Sequence, residues 1–168
     1  MHLIIDGYNL LHATRSLIHS SSTELQWERN QLVHQLSSYR QLKPCEITVI
    51  FDGWQGGWNS ERKEWKKGIE LIYSKLGEKA DEVIKRIVKE RGSGAVVITS
   101  DREIANYAEK MTAAVIPSDR FREKMEKSFQ KIEKDGGKEE GVRMGKTKGP
   151  SKRLSKKEKR TRAALKKL

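Results

Sequence analysis

A three-layer α/β fold with a mainly parallel central sheet is predicted by two observations. Short apolar runs alternate with segments of helical period over about 120 residues, and four of the junctions deliver an acidic residue to a strand end or a helix start. Those junctions are Ile4-Ile5-Asp6-Gly7-Tyr8-Asn9, Val49-Ile50-Phe51-Asp52-Gly53, Lys79-Ala80-Asp81-Glu82 and Ile98-Thr99-Ser100-Asp101-Arg102-Glu103. In a parallel sheet the carboxyl ends of the strands share one edge, so carboxylates there converge although they lie far apart in sequence. Like charges brought close in a cleft of low dielectric repel, and such a cluster suits a divalent cation.

The elements follow in order. Leu3 to Asp6 is a short apolar strand ending in Asp-Gly. Glu24 to Leu42 carries Leu25, Leu32, Leu36 and Tyr39 at helical spacing behind the capping-box string Ser21-x-x-Glu24. Glu46 to Phe51 is a β-branched strand, followed by the connection Gly53-Trp54-Gln55-Gly56-Gly57-Trp58, and Ile69 to Tyr73 reads as a further short strand. Ala80 to Arg91 is a helix stopped by Gly92, and Ala95 to Thr99 is a buried strand. Ser100-x-x-Glu103 reads as a second capping box opening the next helix. Ala113 to Ile116 is the last strand, and from Ser118 a helix carries Phe121, Met125, Phe129 and Ile132 along one stripe. The glycines from Gly136 to Gly149, with Pro150, read as a flexible linker.

The chain has 168 residues and a net charge of +12. Ten of those charges fall in residues 131–168, where fifteen Lys or Arg face five Asp or Glu. Residues 1–130 are therefore expected to be the folded domain, and 131–168 a flexible basic tail. Its string Ser155-Lys156-Lys157-Glu158 is a third capping box, so the tail is expected to turn helical on binding. Charge at this density neutralises phosphates and favours a nucleic-acid partner, with Lys152, Arg153, Lys156, Lys157, Lys159 and Arg160 as contacts. A tail that only aids solubility is the alternative. No stretch approaches the roughly 20 apolar residues of a membrane span, and no signal-peptide order precedes the first strand, so a cytoplasmic protein without a membrane partner is expected. The single cysteine, Cys45, excludes an internal disulfide, and the four histidines show no metal-ligand spacing.

Other α/β chemistries fit poorly. No G-x-G-x-x-G follows the first strand, which argues against a dinucleotide fold and a small-molecule cofactor. A haloacid-dehalogenase-type phosphatase needs a second aspartate where Tyr8 stands. A response-regulator receiver needs paired acids at the first strand, where Ile5 precedes Asp6.

Taken together, Asp6-Gly7-Tyr8-Asn9-Leu10, the strand ending in Asp52-Gly53, Ala80-Asp81-Glu82 and Thr99-Ser100-Asp101-Arg102-Glu103 resemble the YacP-like branch of the NYN domain proteins, in the PIN-like nuclease superfamily. The resemblance covers roughly residues 1–130. It implies a PIN-like domain and a metal-dependent endoribonuclease, in a family linked to cleavage of mRNA and to ribosomes. The positions matching its acidic pattern are Asp6, Asp52, Asp81 and Asp101, with Asn9 in the Asp-x-x-Asn string. Many PIN nucleases carry a further aspartate where this chain has Glu103.

Phosphodiester hydrolysis needs an activated water and an offset for charge on the phosphoryl oxygens, both of which Mg²⁺ or Mn²⁺ supplies. Asp6 and Asp101 are expected as direct ligands, and Asp81 and Asp52 as ligands or orienters of water. Asn9 is expected to hold a ligand carboxylate or contact the phosphate. On the helix from Ala80, Asp81 falls at the edge of the apolar arc and Glu82 near its opposite pole. Trp54, Trp58 and Trp65 either stack on unpaired bases or pack inward. Arg62, Lys63, Lys66, Lys67 and Arg102 are placed to meet phosphates near the acidic edge. The alternative to a nuclease is a non-catalytic RNA-binding or ribosome-associated module of the same fold.

Overall fold

The computed structural model describes residues 1–13, 22–53, 59–135 and 155–168. Six strands form one sheet: β1 (His2–Asp6), β2 (Glu46–Phe51), β3 (Arg62–Lys66), β4 (Ile69–Tyr73), β5 (Ala95–Ile98) and β6 (Ala114–Ile116). Among the described residues six α-helices accompany them: α1 (Gly7–His12), α2 (Ser22–Leu42), α3 (Ala80–Arg91), α4 (Arg102–Lys110), α5 (Ser118–Asp135) and α6 (Lys156–Lys167). The strand order is β3-β4-β2-β1-β5-β6, and every neighbouring pair is parallel except β3 with β4.

The inner strands are continuous apolar runs because both faces of the sheet are covered. Leu3, Ile5, Val49, Phe51, Val96 and Ile98 point into one core with residues of α1, α2 and α5, including Leu10, Leu36, Tyr39 and Phe121. Ile4, Ile50, Ile72 and Val97 point into the other core, with Val83, Ile84 and Val88 of α3 and Ile104 and Ala108 of α4. The period of two along each strand thus feeds two separate cores.

Two glycines that read as turn residues serve a different end. A Cβ on Gly7 would stand 2.3 Å from the Phe51 ring, and one on Gly53 would stand 1.8 Å from the Ser74 carbonyl oxygen. Each Asp-Gly pair therefore lets a strand end meet a neighbour at backbone distance. Gly53 N–H also donates to Ser74 Oγ at 3.1 Å.

Three local expectations change. The sequence pattern shows no helix at α1 and no strand at β3, whose charged residues lack apolar alternation. The second of these follows from pairing: β3 folds back on β4 across Lys67-Gly68, both with positive φ (52° and 78°), as tight hairpins favour. The cap of α4 is Asp101 rather than Ser100, because the Asp101 carboxylate reaches the N–H groups of both Glu103 and Ile104. Ser21, proposed to cap α2, lies outside the described residues.

The division at residue 130 also changes. Helix α5 continues to Asp135, and α6 is folded against the β6 edge of the sheet rather than loose. Besides its basic residues, α6 presents Ala164 and Leu165, which with the following Leu168 form an apolar stripe, and Ala164 and Leu168 are buried in the first core. The Tyr39 hydroxyl donates to the Leu168 carbonyl at 3.0 Å, and Thr161 Oγ1 donates to the Val115 carbonyl at 3.1 Å. An unpaired carbonyl of an edge strand is thereby satisfied and the edge covered. The third capping box is present: Glu158 N–H donates to Ser155 Oγ and Ser155 N–H to the Glu158 carboxylate. The linker, residues 136–154, lies outside the described residues.

Two outcomes test this packing. Gly53→Ala is expected to cost about 1–3 kcal/mol in denaturant unfolding, since the new methyl meets backbone that cannot rotate away. Deleting residues 155–168 is expected to lower stability by about 2–4 kcal/mol, the scale of uncovering Leu168 and its neighbours. Unfolding midpoints of the two variants against the parent chain check both.

Candidate active site

Strand order brings the proposed acids to one edge. β1 lies between β2 and β5, with Asp6 opposite Ile50 and Ile5 opposite Ile98. Asp52 follows β2 by one residue and Asp101 follows β5 by three, so three adjacent strand ends carry them. Chain connections leave β1 toward β2 and return on its other side at β5, so the gap between β1 and β5 is the topological switch point, where crevices form in such sheets.

Hydrogen bonds knit this edge. Asp6 Oδ1 accepts the Asn9 N–H at 3.1 Å and so caps α1, while Oδ2 accepts Thr99 Oγ1 at 3.2 Å. Thr99 Oγ1 in turn accepts the Asp101 N–H at 3.1 Å. Asp101 Oδ1 accepts the N–H groups of Glu103 at 2.7 Å and Ile104 at 3.0 Å. Asn9 Oδ1 accepts the Ser100 N–H at 3.0 Å and the Ser118 hydroxyl at 3.3 Å, and the Ser118 N–H donates to Ser100 Oγ at 3.1 Å. Asn9 therefore joins α1, the β5–α4 turn and the start of α5.

Asp52 acts across a longer gap. Its Oδ1 accepts the Ala80 N–H at 2.6 Å, whereas Lys79, in the N-cap position of α3, offers no side-chain acceptor. A carboxylate just past the end of β2 thus caps α3 and sets the helix start that carries Asp81. Asp81 is half-buried and Glu82 exposed.

The electrostatics tie the four acids together. Asp6 is 8% exposed, and burial pushes its carboxyl up to about 6. The hydrogen bonds from Asn9 and Thr99 oppose that rise, while the charges of Asp81 and Asp52 add to it. Asp81 is also raised, first by burial, then by Asp101, Asp52 and Glu103, with Lys85 opposing. Glu103 is exposed and paired with Lys85 at 2.6 Å, and Lys85 also holds Glu82 at 3.1 Å.

This set of hard oxygen donors suits Mg²⁺ or Mn²⁺. Among the described residues no three His, Cys, Asp or Glu side chains form a ready-made cage, and Mg²⁺ commonly takes one or two carboxylates and keeps its waters. Neither Asp81 oxygen, nor Asp101 Oδ2, nor Asp52 Oδ2 has a hydrogen bond among the described residues, so these atoms are free to meet a cation.

The proposed RNA contacts scatter. Arg102 is exposed at the start of α4, beside Asp101. Arg62, opposite Tyr73, stands at the same edge of the sheet as the acids and pairs with Glu64 at 2.7 Å. Lys63 pairs with Glu61 at 3.5 Å. Lys66, opposite Ile69, and Lys67 fall at the other edge, because β3 runs antiparallel and carries them away from the acids. Trp65 is 68% exposed on β3. Lys156, Lys157, Lys159 and Arg160 are exposed on α6. Trp54, Trp58, Lys152 and Arg153 lie outside the described residues.

Three participants escaped the sequence reading. Thr99 and Ser118 are small polar residues whose roles emerge only from contacts between distant segments. Arg29 is 8% exposed, donates to the Tyr8 hydroxyl at 2.5 Å and lies over the Tyr8 and Phe51 rings, 5.4 and 5.7 Å from their centroids. Its position on the apolar stripe of α2, between Leu25 and Leu32, was the available signal.

Comparison with known proteins supplies relatives. The family model for the YacP-like NYN domain matches residues 3–167. The uncharacterized protein YacP of Bacillus subtilis (strain 168) is 28% identical over 102 residues, and that match spans 59% of this chain and 59% of the relative, under two thirds of its length. The crystal structure of a tryptophan-to-leucine mutant of Rae1 (YacP) from Bacillus subtilis aligns with a TM-score of 0.66 at 21% identity, covering 79% of each chain. A second crystal structure of Rae1 (YacP) aligns at 0.63 and 23% identity, covering 81% of this chain and 79% of that one. The likeness to these structures is one of fold.

Asp6 generates a pH prediction. Because its folded pKa lies above the unfolded value, its contribution to stability is complete below about pH 4 and is lost as pH rises through about 6. In chelator, Asp6→Asn, which keeps an oxygen to cap α1, is expected to stabilise the chain by about 1–3 kcal/mol at pH 8 and hardly at pH 4. Urea unfolding at the two pH values measures the difference.

Proposed function

The chain belongs to the YacP-like NYN domain family, a PIN-like nuclease family, and from that premise we propose that it is a divalent-metal-dependent endoribonuclease acting on RNA, with mRNA at the ribosome as its substrate. PIN-like nucleases are generally divalent-metal dependent. The observation that carries the reading is the meeting of Asp6, Asp52 and Asp101 at three adjacent strand ends beside the switch point of the sheet, with Asp81 on the helix that Asp52 caps. Asp6 and Asp81, both raised by burial and then by neighbouring carboxylates, are a costly arrangement for stability alone, and a cation relieves the cost.

Asp81 and the free oxygen of Asp101 would hold the cation, with Asp6 behind them. When bound, Mg²⁺ or Mn²⁺ supplies a water activated at neutral pH and a counter-charge for the phosphoryl oxygens. The chain's own residues do the rest. Asp52 orients Asp81 by capping α3, and Thr99 couples the carboxylate of Asp6 to the backbone that presents Asp101. Asn9, with its carbonyl oxygen engaged by Ser100 and Ser118, keeps the two halves of the edge at constant distance and leaves its amide for a phosphate or carboxylate. Exposed Arg102 stands where an adjoining phosphate would pass.

The basic face of α6 supports contact with RNA or a ribonucleoprotein. Among the described residues no helix is long and apolar enough to cross a membrane, and we place the activity in the cytoplasm. A second reading has its own support: Asp6, Asp52 and Asp101 all cap helices, which a non-catalytic RNA-binding module would also require.

Asp81 separates the two, since it caps nothing. Asp81→Asn is expected to reduce Mn²⁺-dependent cleavage of mRNA by about 100-fold or more while RNA affinity in chelator stays unchanged. Cleavage by the variant at the parent rate, or no metal-dependent cleavage by the parent with or without translating ribosomes, favours the binding module.

A further inference from the structure

This inference rests on the nuclease reading and asks where the RNA lies. Beside Asp101 the surface opens into a cavity of about 710 Å³, bounded by α4, the start of α5 and α6. Thr99, Ser100 and Asp101 form one side of it, so the cavity is continuous with the acidic edge. Its volume lies within the range of about 300–1,000 Å³ in which small organic groups are held.

The lining has two parts. Ala105, Val115, Pro117 and Leu165 provide an apolar floor. Of the charged groups around it, Lys157 is paired with Glu109 at 2.9 Å, and the Glu158 carboxylate closes the capping box of α6. Arg102, Arg120 and Arg162 are exposed and have no ion-pair partner among the described residues. Of the remaining acids on the lining, Asp101 belongs to the acidic edge and Asp119 is exposed on the first turn of α5.

An apolar floor rimmed by guanidinium groups matches an unpaired nucleotide. Single-stranded RNA is recognised by bases splayed onto apolar or planar surfaces while cations meet the flanking phosphates. Arg suits both duties, because its plane stacks and its fork grips phosphate. We propose that this cavity binds the unpaired nucleotide next to the scissile phosphate, with its base on the apolar floor and its phosphates on Arg102, Arg120 and Arg162. On this reading α6 supplies one wall of the substrate site, and the basic carboxyl-terminal segment holds RNA in register with the acids.

The test uses the full chain and a short fluorescein-labelled single-stranded oligoribonucleotide, with binding followed across a salt series in chelator so that no cleavage occurs. Arg120→Glu with Arg162→Glu is expected to weaken binding at least about tenfold and to lower the log–log salt slope by about 1.4, the value for two single-strand phosphate contacts. Lys89→Glu with Lys131→Glu, an equal change of charge at exposed positions off the cavity, is expected to shift affinity less than about threefold. If the first pair melts below the parent chain, Arg120→Gln with Arg162→Gln should show the same loss of slope. An unchanged affinity and slope in the first pair, an equal loss in the control pair, or no binding by the parent overturns the proposal. A parent chain that binds through the cavity yet does not cleave mRNA with Mn²⁺, with or without translating ribosomes, refutes the nuclease reading and leaves the cavity assignment standing.

Discussion

The arrangement of this edge depends on one buried carboxylate. Asp6 ends the central strand, and its two oxygens face two different segments, the backbone of α1 and the hydroxyl of Thr99. Water cannot replace either contact easily at 8% exposure. Because Thr99 also accepts the Asp101 N–H, the position of β5's turn is referred to β1 through a single side chain. The charge of the same acid that holds the edge together is disfavoured first by burial and then by Asp81 and Asp52, so cohesion and electrostatic cost meet at one residue. Sites with that character are common where a protein does chemistry.

Legibility followed the physics of each feature. Strands β1, β2 and β5 were readable because burial on both faces makes them continuous apolar runs, and α3 was readable from its periodicity. Strand β3 was not, since its residues gain strand form from pairing with β4 and from a hairpin turn rather than from their own pattern. The acids were visible as Asp at strand ends, but their hydrogen bonding was not. Nothing local in Asp52-Gly53 says that the carboxylate caps a helix beginning at Ala80, because that contact joins residues 28 apart in sequence. Ser100 and Asp101 are adjacent and both capable caps, and geometry rather than propensity gave the place to Asp101.

The carboxyl-terminal segment shows how composition misleads. Its charge density suggests a loose arm, yet Ala164, Leu165 and Leu168, with the hydrogen bonds of Thr161 and Leu168, seat it on the β6 edge. Basic residues then fall on the opposite, exposed side, where Lys and Arg stems cost little to keep. A segment can thus be both a structural cover for an edge strand and a charged surface for a partner. The family match running to residue 167 agrees with a domain that includes this helix.

Asp52 has a consequence for reading other chains of this kind. A lineage that abandoned hydrolysis would still need α1, α3 and α4 to start where they do, and so would keep pressure on Asp6, Asp52 and Asp101 as helix caps. Asp81 is under no such architectural obligation. Three retained aspartates therefore say little about whether a relative is a working enzyme or a degenerate copy, whereas under the nuclease proposal the residue at position 81 is the one whose replacement would mark the loss.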